Sequence, residues 1–461
     1  MVVGEQEIRA IVQEVVAKLK TEETNSGSLG IFEDMNEAIK ASIEAQKVMH
    51  SLSMDSREKI IQNIKKITFE KAETLAVMGV EETGMGNIPH KILKHRLVAE
   101  KTPGTEDITT TAWSGDRGLT LVEMGPFGVI GAITPCTNPS ETIICNTIGM
   151  IAGGNTVVFN PHPAAVKTSI MAVNLLNQAS IDAGGPANIA VTVSKPTLET
   201  SDIMLKHPAI QLIAATGGPG VVTTVLSSGK RGIGAGAGNP PVLVDDTADI
   251  AKAAMDIVNG CTFDNNLPCI AEKEVVAFET IADELIYHML ENGSYLINEE
   301  EQEKLTKLVL PEGRLNRKYV GKSAKCILSG IGIEVPDTIR CIIFVGKKEH
   351  PLIAEELMMP ILGIVKAKCI DDAIAKAVWL EHGNRHSAHM HSKNIDNLTK
   401  FGKAIDTAIF VKNAPSYSAL GFGGEGFCTF TIASRTGEGL TSASTFTKRR
   451  RCVMADSFCV R

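Results

Sequence analysis

The sequence predicts an α/β protein with two doubly wound α/β domains and a β arm for oligomerisation. Three observations carry this. From about Leu119, short β-branched runs at 129–133, 156–159, 189–193, 210–214 and 242–244 are separated by Gly and Pro. Helical stretches such as 164–183 and 197–207 lie between them, a spacing that implies parallel βαβ units. A second set follows, with strands at 274–278, 341–345 and 362–367 and helices at 281–292, 353–358 and 370–381. The chain of 461 residues exceeds one compact core and suits two or three domains.

Taken in order, residues 5–20 come first. Ile8, Ile11, Val12, Val15, Val16 and Leu19 form one apolar stripe on a helix, with Arg9, Glu14 and Lys18 off it. Residues 21–28 are polar and read as a flexible linker. A helix on a tether suits docking into a partner's groove; packing on its own body is the plainer alternative. Its acids argue against a membrane-surface role. Helical patterning then runs from Glu33 to about Leu97, through Ala38, Ile39, Ile43 and Ile60, Ile61, Ile64, Ile67. At the C-terminus, 429–432 and 443–446 read as extended arms. The expected division is a helix at 1–20, a linker at 21–28, a cofactor-binding domain from 29–108 and 128–235, a catalytic domain at 236–427, and arms at 109–127 and 428–461.

Composition excludes several classes. Hydrophobic residues make up 44% of the chain, so it folds rather than staying disordered. Aromatics at 4% argue against base-stacking nucleic-acid modules, and a net charge of −7 argues against a polyanion binder. The ten cysteines include no C-x-x-C pair, no leader is evident, and no apolar run nears the roughly 20 residues of a membrane helix. A reducing, cytoplasmic setting is expected.

The chemistry centres on Asn265-Asn266-Leu267-Pro268-Cys269. A thiolate is a strong nucleophile where its surroundings lower the thiol pKa. Asn138, between Pro135 and Pro139 after a strand, is placed to aim its amide at an oxyanion, or is a turn residue bonded to its own backbone. Asn160 and His162 follow the strand 156–159 and are placed for a ribose or phosphate, although a surface histidine reads equally well there. Thr216-Gly217-Gly218-Pro219 opens a helix, where phosphate approaches backbone N–H groups. The run Gly232 to Gly238 imitates a dinucleotide fingerprint, but prolines and a strand follow it where a helix is required, so it reads as close-packed backbone bordering a cofactor or substrate channel. His382, His386, His389 and His391 read as loop histidines rather than a metal site, and Lys448 to Arg451 as a solvated strand or subunit contact.

Together these parts, in this order, resemble the aldehyde dehydrogenase superfamily from about residue 30 to the C-terminus. The resemblance implies that Cys269 is the nucleophile and Asn138 the oxyanion donor. It implies that Thr134, Pro135, Asn160 and His162 line the cofactor site with Thr216, Gly217, Gly218 and Gly234, and that Glu356 contacts the nicotinamide ribose. One departure is informative: the family's general-base glutamate falls here on Gly234, and no carboxylate stands between Gly232 and Asp245. That resembles the CoA-acylating branch, in which coenzyme A rather than water releases the acyl group. The lysine and glutamate that usually hold the adenine ribose become Asn160 and Pro163; the branch mostly uses NAD.

A narrower resemblance, to aldehyde dehydrogenases of bacterial microcompartments, rests on the Cys269 motif, Glu381-His382-Gly383-Asn384-Arg385-His386, His391-Ser392-Lys393, Thr436 to Thr441 and Arg449-Arg450-Arg451-Cys452. Ser444 departs from the arginine expected there. The resemblance implies a short-chain aldehyde substrate, propionaldehyde before acetaldehyde, a homo-oligomer, and encapsulation through residues 5–20 against a shell protein. A hydrolytic aldehyde dehydrogenase and a non-catalytic shell-associated protein are the alternatives.

Overall fold

The computed structural model describes residues 29–460. The predicted helix at 5–20 and its linker lie outside them. Strand β1 (Ile31–Phe32) leads into helices Met35–Ser51, Met54–Glu70, Ala72–Thr83 and Ile88–Lys101. Each start has a local cause. Asp34 caps the first helix by accepting the N–H groups of Asn36 and Glu37, Ser53 caps the second, and Asn87 caps the fourth with a proline in its first turn. The first helix buries Met35, Ala38, Ile39, Ala45 and Met49, the face its apolar spacing defines.

Strands β2 (Thr111–Gly115) and β3 (Gly118–Pro126) form a hairpin that projects from the body. The first wound sheet follows: β4 (Val129–Thr134), β5 (Thr156–Pro161), β6 (Ala190–Val193), β7 (Ile210–Thr216) and β8 (Arg231–Ala235). These strands and β1 run parallel in the order β1-β6-β5-β4-β7-β8. The chain winds outward from β4 in both directions, so a crevice opens beyond the C-terminal ends of β4 and β7. Helix Pro139–Ala152 is buried along its whole length, and Ile144, Ile148, Val157 and Phe159 join one core. Each such side chain stabilises by about 1.5–3 kcal/mol relative to exposure.

The second sheet contains β9 (Pro241–Val244), β10 (Glu274–Phe278), β11 (Ser294–Leu296), β12 (Cys341–Val345), β13 (Ile361–Ala367), β14 (Ser387–His391) and β15 (Ile409–Lys412). All pairs are parallel, in the order β11-β12-β13-β10-β9-β14-β15. The short ribbon β16 (Ile432–Ala433) and β17 (Gly439–Leu440) precedes β18 (Thr447–Ala455), which pairs antiparallel with β3. The basic run at Lys448 to Arg451 lies on this exposed strand.

Four expectations fail. Residues 443–446 are a 3-10 turn, not an extended arm, because Ser442 and Thr445 cap each other and Ala443 and Phe446 are buried. Within 429–432 only Ile432 enters a strand. The helix expected at 353–358 is the single turn Pro351–Ala354: Glu355 is extended and Met358 is left-handed at φ 52°. Finally, His389 and His391 lie on buried β14 and His386 is buried just before it; only His382 is on an exposed turn.

Candidate active site

Helix Ile250–Thr262 ends where the segment leading to Cys269 begins. Asp264, Asn265 and Asn266 have φ of 49°, 53° and 68°, three successive left-handed residues without a glycine. Asn and Asp tolerate that region best, and here each side chain is pinned. Asp264 Oδ1 accepts the Asn87 N–H at 2.7 Å. Asn265 Nδ2 donates to the carbonyls of Gly86 and Gly321 at 3.1 and 2.9 Å. Asn266 Nδ2 donates to the carbonyls of Cys261 and Glu272, and its Oδ1 accepts Lys273 Nζ at 2.6 Å. The paired amides of the motif therefore hold a strained turn that sets Cys269 in place.

Cys269 is half-buried. Burial, then the charge of Glu356, pushes its thiol up to about 12; Lys273 and the N–H groups of Cys269 and Ile270 act in the opposite direction. The expectation of surroundings that lower the thiol is thus reversed in the resting site. The apolar walls and the buried glutamate outweigh one lysine.

Gly238 joins several of these groups. Its N–H donates to the Glu356 carboxylate, whose pKa burial raises. A Cβ on Gly238 would lie 2.8 Å from His386 Cγ and 3.1 Å from the Cys269 carbonyl oxygen. The His386 ring is therefore a next neighbour of the Cys269 backbone, with only a glycine's thickness between them. Burial lowers its pKa to about 4, so it is a neutral imidazole. His386 Nδ1 lies 3.0 Å from Ser387 Oγ, and Nε2 is buried without a hydrogen-bond partner. His389 Nε2 donates to the Ile270 carbonyl at 2.9 Å, bracing the residue after the nucleophile.

Asn138 sits at the turn from β4 into helix Pro139–Ala152, where its carbonyl accepts from the N–H and hydroxyl of Thr142. Its side chain is buried; Oδ1 accepts from Lys94 Nζ and Nδ2 lies 3.3 Å from Thr137 Oγ1. The plain turn reading, a side chain bonded to its own backbone, does not describe it.

The predicted cofactor residues gather along the C-terminal edge of the first sheet. Register places Asn160 beside Ile133, Ile133 beside Ala215 and Ala215 beside Gly234, one row across four strands. Thr134 follows in β4 and Pro135 begins the loop; Thr134 Oγ1 is buried without a hydrogen-bond partner. His162 Nδ1 accepts the Ala164 N–H, and burial and Arg317 lower its pKa. Asn160 is spent on the start of the next helix: it accepts from Thr200 Oγ1 and donates to the Thr197 carbonyl. Thr216 Oγ1 is tied to Thr431 Oγ1 at 2.8 Å, so its hydroxyl faces protein. Gly217 and Gly218 lead into helix Pro219–Leu226, and a Cβ on Gly218 or Gly220 would meet nothing within 4 Å. That open space over a helix N-terminus, with an orphan hydroxyl at Thr134, fits a dinucleotide pyrophosphate.

Gly234 lies in β8 and its N–H donates to Thr436 Oγ1 at 3.2 Å. A Cβ there would meet Val222 Cγ1 at 2.7 Å. The missing carboxylate is therefore more than a deleted side chain, because Val222 occupies the space its first carbon needs. Gly232 and Gly238 are equally hemmed in, as close-packed backbone requires; Gly236 is not.

Sequence reasoning placed Gly238 in backbone bordering a channel, gave His386 and His389 only a loop reading, and missed Lys94 and Lys273. The Glu381-to-His386 motif was a signal for His386. For the lysines there was none, since lysines on an amphipathic helix or beside a strand read as exposed.

Residues 9–440 match the profile of the aldehyde dehydrogenase family. The chain is 44% identical over 455 residues to the propanal dehydrogenase (CoA-propanoylating) of Salmonella typhimurium, covering 98% of each. A propionaldehyde dehydrogenase from the fucose utilisation bacterial microcompartment of Clostridium phytofermentans is 76% identical, with a TM-score of 0.93 over 94% of this chain and 100% of that one. A propionaldehyde dehydrogenase of Rhodopseudomonas palustris, solved with bound CoA and an acylated cysteine, is 54% identical, with a TM-score of 0.92 over 94% of this chain and 99% of that one.

Proposed function

Because this chain belongs to the aldehyde dehydrogenase family, we propose that it oxidises a short-chain aldehyde, propionaldehyde before acetaldehyde, and passes the acyl group from Cys269 to coenzyme A. The observation that carries this is Gly234: no carboxylate stands there to activate water, and a Cβ there would require Val222 to shift. Bound NAD+ supplies the hydride acceptor. Cys269 attacks the aldehyde carbon as its thiolate, its thiol proton having passed to solvent. The Asn138 amide and the Cys269 N–H hold the oxyanion of the thiohemiacetal, each worth about 3 kcal/mol of barrier. Loss of hydride leaves a thioester on Cys269. The thiol of CoA then attacks it, losing its proton to solvent, and Cys269 leaves and is reprotonated. One proton reaches solvent per cycle.

The test is NADH formation from propionaldehyde with and without CoA, together with kcat/KM from two- to five-carbon aldehydes. Turnover should require CoA and give propionyl-CoA; one methylene discriminates by only about 1–3 kcal/mol. Full turnover to free acid without CoA would sink the reading.

Residues 5–20 serve as the tag for a microcompartment shell protein, and the three-stranded sheet of β2, β3 and β18 joins copies of the chain. Trp113 and Val453 on that sheet are 54% and 61% exposed, and β18 is open along most of its length, which suits a second copy as cover. Deleting residues 1–20 should leave activity and sedimentation mass unchanged and abolish co-purification with shell protein. Loss of folding instead would place the helix in the body of the enzyme.

A further inference from the structure

The reaction as described uses no lysine, yet two are buried beside its oxyanion donor. Lys91 and Lys94 lie on one face of helix Ile88–Lys101 and are 2% and 0% exposed. Lys94 Nζ donates to Asn138 Oδ1 at 2.5 Å and forms ion pairs with Asp264 Oδ2 at 2.6 Å and Glu141 Oε1 at 2.9 Å. Lys91 Nζ donates to Asp264 Oδ2 at 3.2 Å and to the Thr137 carbonyl at 3.1 Å. Two cations thus face two anions in a site closed to water, beside the helix that starts at Asn138 and at the head of the turn that ends at Cys269.

The chemistry of an ammonium gives this arrangement a direction. It has donors and no acceptor, so it meets only the oxygen of an amide. An Asn beside a hydroxyl or water would sample both orientations; beside Lys94 it has one. With Oδ1 held, Nδ2 is the end left to donate, and donation is what an oxyanion requires. The charge is also stable. Burial draws Lys94 down, but Asp264 and then Glu141 lift it above the ordinary lysine value, while Glu141, which burial alone would raise, is held well below the carboxylate range by Lys94 and Lys91.

We propose that Lys94 is a positioning residue that fixes the amide of Asn138 with its N–H groups toward the reacting carbonyl. This rests on the reading of Asn138 as the oxyanion donor. Its test uses readouts that a packing role does not move.

Lys94→Met, Asn138→Ala and the double variant should be compared in single-turnover NADH formation. Asn138→Ala is expected to lose about 10²–10³-fold in kcat. Lys94→Met should lose about 10- to 100-fold in kcat, with aldehyde KM changed less than about threefold, since the amide acts only on the transition state. In the Asn138→Ala background, Lys94→Met should add less than about threefold, the mark of one residue acting through another. Alkylation of Cys269 by iodoacetamide, which needs no oxyanion donor, should stay within about threefold of wild type in all of them. If Lys94→Met does not fold, Lys94→Met/Glu141→Gln removes one charge of each sign, leaves Lys91 with Asp264, and carries the same comparison. Full kcat in either folded variant, or a loss that adds to that of Asn138→Ala, overturns the proposal. A fully active Asn138→Ala would instead remove the reading beneath it.

Discussion

Replacing Cys269 with alanine is expected to lower NADH formation by about 10⁴-fold or more while folding and NAD+ binding persist, as measured by single-turnover absorbance and by cofactor fluorescence titration. The thiol is the nucleophile at the end of the pinned turn, and Gly234 offers no carboxylate to take over. The same residue predicts a pH dependence. Its thiol is pushed up to about 12 by burial and by Glu356. An acid with a raised pKa stays protonated through neutrality, so the thiolate fraction grows about tenfold per pH unit and levels only near that value. Alkylation of the cofactor-free enzyme by iodoacetamide should therefore climb steadily from pH 7 to pH 10. A plateau near pH 8 would mean that the charge of Lys273 outweighs that of Glu356, and the electrostatic account would be wrong.

Gly238→Ala is expected to reduce kcat by about 10²-fold with little loss of thermal stability, read by steady-state kinetics beside a melting curve. Gly238 has no left-handed φ, so alanine suits its backbone and the effect is one of space. The added carbon would enter the 2.8 Å gap to the His386 ring and the 3.1 Å gap to the Cys269 carbonyl oxygen. Either the imidazole moves away from the nucleophile, or the Cys269 turn moves away from Asn138. The N–H that Gly238 donates to Glu356 would shift with it. Unchanged kcat in Gly238→Ala would show that the His386 ring and the Cys269 turn move apart without consequence.

Legibility in the sequence followed locality. The alternation of β-branched runs and amphipathic stretches is written residue by residue, and both wound sheets emerged where it lies. Prolines around Asn138 and glycines before Pro219 mark their turns by backbone chemistry, and those turns stand at the crevice. The failures also have causes. The histidines from His386 to His391 sit in a short run interrupted upstream by Gly383 and Asn384, and nothing in that run tells a buried strand from a loop. The segment after Pro351 carries apolar residues at helical spacing, but it is held extended where Glu356 meets the Gly238 N–H. Ala443 to Phe446 read as an arm until packing against the long buried helix at Gly149 is known.

The family, the nucleophile candidate and the lack of a carboxylate at Gly234 were legible in residue identities, because each is a matter of which residue stands at a position in a local pattern. Tertiary structure alone decided the state of those residues. The thiol of Cys269 is raised because Glu356, nearly ninety positions downstream by numbering, and a set of apolar walls surround it. The amide of Asn138 has a direction because Lys94 reaches it from another helix. A side chain at Gly234 would require Val222 to shift, because its Cγ1 lies 2.7 Å from where a Cβ would stand. Protonation, orientation and free volume are sums over neighbours distant in the chain, and the fold is what brings those neighbours together.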